Sequence, residues 1–108
     1  MPRDTLGELE HRVLLSVSRL GGDAYSVSVI LDLEACTGKE YAAAAIHIAM
    51  RRLEQKGFVR SSLRHAPPKD GGRERRYYEV TPEGWDRMVE ERREFEALWS
   101  GVPARGGS

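Results

Sequence analysis

Cysteine is nearly missing from this chain. Cys36 is the only one in 108 residues, so no internal disulfide can form and no cysteine pair is available for a metal or for redox chemistry. Cys36 falls on the apolar pattern of a helix, which predicts a buried structural thiol. No stretch approaches the roughly twenty consecutive apolar residues of a membrane-spanning helix. Met1-Pro2-Arg3-Asp4 opens no signal peptide, so a cytoplasmic address without a membrane partner is expected. His11, His47 and His65 have no metal-ligand spacing. No Ser-His-Asp set, paired carboxylates or phosphate-cradling loop stands out, because Gly71-Gly72 lies between two β-prone runs and not between a strand and a helix. These absences predict a protein that is not an enzyme, with no catalytic residue, no metal and no cofactor.

Net charge is also absent, since 17 basic side chains balance 17 acidic ones, but the average hides a segregation. Residues 1–41 carry four basic and seven acidic side chains, residues 42–80 carry nine and four, and residues 81–108 carry four and six. The middle segment is therefore the positive one, and a duplex responds to the local field. The hydrophobic fraction of 40% and charged fraction of 31% suit one small folded domain.

The positive segment has a recognisable shape. Two β-prone runs, 58–63 and 75–80, flank a loop holding Pro67, Pro68, Gly71 and Gly72, the pattern of a hairpin with a long tip. Arg60, Arg64, Lys69, Arg73, Arg75 and Arg76 sit on or beside that tip, against only Asp70 and Glu74. Tyr77 and Tyr78 alternate along the second run, so one belongs in the core and the other on the helix or wing.

Helical periodicity surrounds the hairpin. Leu6, Leu9, Val13, Val17 and Leu20 mark a helix over 6–20, widened by Leu14 and Leu15 and stopped by Gly21-Gly22. A second helix is predicted over 26–37, with Val29, Ile30, Leu33 and Cys36 inward, Asp23 or Ser26 at its cap and Gly38 at its end. The third spans 42–56. Ile46, Met50 and Leu53 face the core, with Ala43 and Ala49 beside them, while Ala44, Ile48, Arg51, Arg52 and Gln55 face outward with His47 on the flank. Ala42 to Ala45 lets the backbone approach a groove closely and supplies no side-chain hydrogen bonds.

A fourth helix starts with Thr81 at the N-cap and Pro82 at the first helical position. Trp85, Met88, Val89, Arg92, Phe95 and Trp99 recur along one side of it. Such a stripe either folds back on the first helix or joins a second copy; its aromatic content favours the two-fold contact of a homodimer. The tail over 101–108 consists mainly of small residues, and disorder is expected there.

In this order and spacing, Leu6-Gly7-Glu8-Leu9-Glu10, Ala24-Tyr25, Thr37-Gly38, Arg52-Leu53-Glu54-Gln55-Lys56-Gly57, Gly71-Gly72-Arg73, Arg76-Tyr77-Tyr78 and Val80-Thr81-Pro82-Glu83-Gly84 resemble the PadR family of winged-helix transcriptional regulators, in its short subgroup with a single C-terminal helix. The resemblance covers nearly everything from residue 6 to 99. It implies a mostly α fold with a small β-hairpin (α+β): a winged helix-turn-helix domain at 1–81 that binds DNA and a dimerisation helix at 82–100. It also implies a homodimer on a pseudo-palindromic double-stranded operator, acting as a repressor relieved by a small effector; separately, aromatic residues near a dimer seam could enclose a flat, small hydrophobic effector. On this reading Tyr41, Ala44, His47, Ile48 and Arg51 face the major groove, and Lys69, Arg73, Arg75 and Arg76 grip phosphates. Trp85, Met88, Val89, Arg92, Phe95 and Trp99 form the dimer contact. The rival reading is a winged helix used as a protein-interaction module through Ala44 and Ile48.

Overall fold

The computed structural model describes residues 5–105. Four helices and one hairpin follow in the order α1 (Glu8–Leu20), α2 (Ser26–Thr37), α3 (Ala43–Gln55), β1 (Val59–His65), β2 (Glu74–Val80) and α4 (Pro82–Trp99), with single 3-10 turns at Gly21–Asp23 and Pro68–Asp70. The fold is the expected α+β winged helix.

Local chemistry sets the helix ends. At the start of α1, Glu10 Oε1 accepts the Gly7 N–H at 3.0 Å, and Glu8 adds a second negative charge to the positive end of the helix dipole. The start of α2 is capped from inside: Ser28 Oγ accepts the Tyr25 N–H at 2.9 Å, a role that falls to neither Asp23 nor Ser26. Gly38, at φ 71°, closes α2 in the left-handed conformation that glycine adopts without strain. Thr81 caps α4 as expected, accepting the Gly84 N–H at 3.0 Å while donating to the Gly57 carbonyl at 2.6 Å.

Val13, Leu14, Val17, Val29, Leu33, Ile46, Met50 and Leu53 form one core between α1, α2 and α3. Each fully buried aliphatic side chain of this kind contributes roughly 1.5–3 kcal/mol relative to exposure. The hairpin joins through Phe58, Val59 and Tyr78, all buried, and the Tyr78 N–H donates to the Ala24 carbonyl at 2.9 Å. Its antiparallel register runs from Val59 opposite Val80 to His65 opposite Glu74.

Two expectations are corrected here. Cys36 is exposed: its Sγ lies 2.6 Å from Arg19 Nη2 and 3.9 Å from Asp32 Oδ1, at the polar edge of the contact between α1 and α2 and not in the apolar core. Met88 is not on the open stripe of α4; it lies in this chain's core at 6% exposure. The reason is that Thr81 and the buried Gly84 hold the first turns of α4 against the end of α3 and the start of β1. Farther along, α4 leaves the body, and the radius of gyration of 16.0 Å exceeds the ~13 Å of a compact domain this size. Among the described residues, no helix is long and apolar enough to cross a membrane, and no cluster of three His, Cys, Asp or Glu could hold a metal ion. Residues 101–105 are exposed and irregular; the expected disorder of Gly106 to Ser108 lies outside the described residues.

Candidate nucleic-acid interface

The two sides of α3 differ as its periodicity requires. Ile46, Ala49, Met50 and Leu53 are buried, whereas Ala44, His47, Ile48, Arg51, Arg52 and Gln55 are exposed. Ile48 holds an apolar side chain 52% exposed in the middle of this face. Arg51, Arg52 and His47 make no hydrogen bond or ion pair among the described residues, so their donors stand open to an external acceptor. Arginine can pair with both major-groove acceptors of guanine, and Ala44 and Ile48 can meet thymine methyl groups.

Tyr41 does not share this face. It stands just before the N-cap of α3 and turns back on the core, where its hydroxyl accepts from Arg12 Nη1 at 2.9 Å and lies 3.3 Å from Thr37 Oγ1. The Thr37 hydrogen bond, followed by Arg12 and Lys39, outweighs burial and lowers the pKa of the phenol.

The cations of the wing fall into two groups. Lys69 and Arg73, at the tip, are exposed and hold no hydrogen bond or ion pair among the described residues. The others are engaged. Arg60 Nε pairs with Glu79 at 2.9 Å, and Arg64 Nη2 donates to the Gly22 carbonyl at 2.7 Å. The Arg75 guanidinium lies 3.8 Å above the Tyr25 ring and donates to the Tyr77 hydroxyl at 3.3 Å, so Arg75 departs from the open position expected of it. Arg76 occupies the opposite face of β2. Its Nη1 donates to Ser61 Oγ at 2.9 Å, and Ser61 in turn donates to Glu54 of α3 at 2.7 Å. Burial, reinforced by Glu54, raises the Tyr78 pKa, while Arg76 and Arg51 act against that rise; both cations are therefore within electrostatic reach of one phenol. The face of the hairpin with Arg76 is thus the one turned toward α3 and Arg51.

On α4, Trp85, Val89, Phe95 and Trp99 remain between 41% and 69% exposed, and Leu98, outside the expected stripe, is 68% exposed. Arg92 is exposed and pairs with Glu96 at 3.0 Å. A groove of about 550 Å³ runs between α1 and α4, lined by His11 and Leu15 on one side and Trp85, Val89, Phe95 and Trp99 on the other. The His11 ring stacks on Phe95, their planes 8° apart and centroids 6.5 Å apart. Folding back on the first helix therefore describes part of α4, while its outer apolar side chains stay exposed. His11 and Leu15 had a sequence signal, since they are four residues apart on α1, but were not among the residues expected to meet the α4 stripe.

No family model matches the chain, and no curated protein matches it. Solved structures do. The structure of a PadR family transcriptional regulator from Eggerthella lenta is 31% identical, covering 87% of this chain and 83% of that one, with a TM-score of 0.67. A PadR family transcription regulator from Clostridium difficile (18% identity, 87% and 93% covered, TM-score 0.70) and a PadR-like transcriptional regulator from Bacillus cereus (17%, 85% and 84%, TM-score 0.71) share the fold. A four-helix winged fold, an open basic face on its third helix and a 31% identical relative matched over most of both chains lead to one assignment: this chain belongs to the PadR family of transcriptional regulators.

Proposed function

We propose that the chain is a homodimeric, sequence-specific DNA-binding transcriptional regulator, in which residues 1–81 bind the duplex and α4 joins two copies. The observation that carries this reading is the distribution of uncommitted charge. Arg51 and Arg52 on α3, and Lys69 and Arg73 at the wing tip, are exposed and hold no hydrogen bond or ion pair among the described residues, although the chain is neutral overall. Phosphates are the acceptors such an array suits, with Ala44, His47, Ile48 and Arg51 left to read bases. Arg76, although its Nη1 donates to Ser61, is exposed beside α3 and adds its charge to the same side. The exposed row of Trp85, Val89, Phe95 and Trp99 supports a two-fold partner, and two-fold symmetry calls for a pseudo-palindromic operator. Family membership supports repression, and the apolar groove suits a small hydrophobic effector that relieves it.

Titration of the protein with operator and mixed-sequence duplex at two salt concentrations tests the reading. Binding that weakens as salt rises, with a slope of about 0.9 per phosphate contact, supports it; no duplex binding at low salt contradicts it. The half-exposed Ile48 beside Ala44 favours one rival, a protein-interaction module, which predicts the second outcome.

A further inference from the structure

Arg64 and Arg75 face each other directly across the hairpin, an arrangement in which like charges repel. Each nevertheless lies on an aromatic ring, Arg64 exposed and Arg75 partly buried. The Arg64 guanidinium lies 3.8 Å from the centre of the Tyr77 ring, and that of Arg75 lies 3.8 Å from the centre of the Tyr25 ring. The two rings meet edge to face, 5.6 Å apart and inclined by 65°. The stack is tied to the body at two further points, through Arg64 to the Gly22 carbonyl and through the backbone at Tyr78 and Ala24. It also reaches the tip, since Arg75 Nη1 is 3.9 Å from Asp70 Oδ2.

We propose that Arg64 and Arg75 are positioning residues: stacked on Tyr77 and Tyr25, they clamp the wing to the head of α2 and set where Lys69 and Arg73 stand, without touching DNA themselves. The role of those two tip residues rests on the DNA-binding reading; the clamp itself does not. A two-stranded ribbon is marginal alone in water, and beyond Tyr78 this one has no backbone bond to the body among the described residues. A stacked guanidinium keeps its in-plane N–H groups, but here Arg64 Nη2 already donates to the Gly22 carbonyl and Arg75 Nη1 to the Tyr77 hydroxyl, so both side chains are turned to the body of the domain. Tyr25 and Tyr77 are the uncharged parts of the clamp, and of the two only the Tyr25 hydroxyl makes no hydrogen bond among the described residues.

The test has two arms. In the DNA-free protein, amide hydrogen exchange is followed at Ala66 and Gly72, whose N–H groups bond to Arg73 and Pro67 across the tip. Tyr25→Leu and Arg75→Ala are expected to speed exchange there about tenfold, with the amides of Leu14 and Met50 unchanged, while Tyr25→Phe keeps the wild-type rate. Wild-type exchange at the tip in both Tyr25→Leu and Arg75→Ala would overturn the clamp, and should Tyr25→Leu unfold, Arg75→Ala carries this arm. In the second arm, the Lys69→Ala/Arg73→Ala pair is expected to lower the salt slope on mixed-sequence duplex by about two units in the wild type and by clearly less in Arg75→Ala. If Arg75→Ala instead lowers the slope by about one unit and its loss simply adds to that of the pair, Arg75 is a phosphate contact and the proposal fails. Accelerated tip exchange without any wild-type duplex binding would keep the clamp and remove the DNA-binding reading.

Discussion

Gly84 lies so close to Phe58 that a Cβ built on it would stand 2.0 Å from the Phe58 carbonyl oxygen, 2.9 Å from its carbonyl carbon and 3.0 Å from Val80 Cγ1. Two of these neighbours are backbone atoms that cannot turn aside. Gly84→Ala is therefore expected to push the start of α4 off the domain, breaking the Thr81 cap and exposing Met88. The cost should be about 2–4 kcal/mol, in the range of severe overpacking with loss of a cap. Chemical denaturation checks this; a midpoint within error of wild type would contradict the docking of α4.

A second tie joins α1 to the end of α3. Lys56 Nζ is 2.6 Å from Glu10 Oε1, with the Glu10 side chain 8% exposed and that of Lys56 22% exposed. Burial of Glu10 opposes its ionisation, but the Lys56 hydrogen bond, the Gly7 N–H and the charges of Lys56 and Arg52 outweigh it, so its pKa is lowered from 4.5. A carboxylate depressed in the folded state stabilises the fold above its unfolded pKa, and that contribution disappears as pH falls through the lower folded pKa. Glu10→Gln is expected to lose about 1–3 kcal/mol at pH 7 and much less at pH 3, as urea melts at the two pH values would show. Equal losses at both would mean that charge at Glu10 is not what matters.

Much of this architecture is legible in the sequence, and the exceptions have a common cause. Gly38 ends α2 and Thr81-Pro82 begins α4 because capping chemistry depends on neighbours along the chain. The inward face of α3 follows from the spacing of Ile46, Met50 and Leu53. Periodicity groups residues on a face but does not say what covers it. Cys36 shares the inward pattern of α2 yet lies exposed beside Arg19 and Asp32, and Met88 shares a stripe with Trp85 yet is covered by its own domain. Tyr41 and Arg75 escaped for the same reason, since their partners Arg12 and Tyr25 lie 29 and 50 positions away. The pairing of Arg64 with Arg75 depended on a register that the long tip leaves open.

The exposed row on α4 predicts self-association. Replacing Phe95 and Trp99 together with glutamate should weaken the homodimer at least about a hundredfold, because large aromatic anchors dominate such contacts. Sedimentation at micromolar concentration would then report monomers, with a helical circular dichroism signal retained. A wild-type protein that sediments as a folded monomer at the same concentration would rule out the dimer.

Arg51 distinguishes base reading from phosphate binding. It is exposed and has no internal hydrogen bond or ion pair among the described residues, so Arg51→Ala should leave the melting temperature nearly unchanged. A loss of roughly 1–3 kcal/mol confined to operator DNA identifies a guanine contact. A similar loss on operator and random duplex identifies a phosphate contact. Unaltered binding to both would remove Arg51 from the interface.

The claim that the outward face of α3 lies in the DNA groove is tested most directly at Ile48, 52% exposed at the middle of that face. The measurement is the affinity of Ile48→Asp for operator duplex at low salt, beside its melting temperature. A carboxylate placed there meets phosphates and base acceptors, and by pairing with Arg51 or Arg52 one turn along α3 it would also draw a cation away from the duplex. Binding at least about a hundredfold weaker is predicted, together with an unchanged melting temperature. Wild-type affinity in a folded Ile48→Asp protein would contradict it and move the function of this face from DNA to a protein partner.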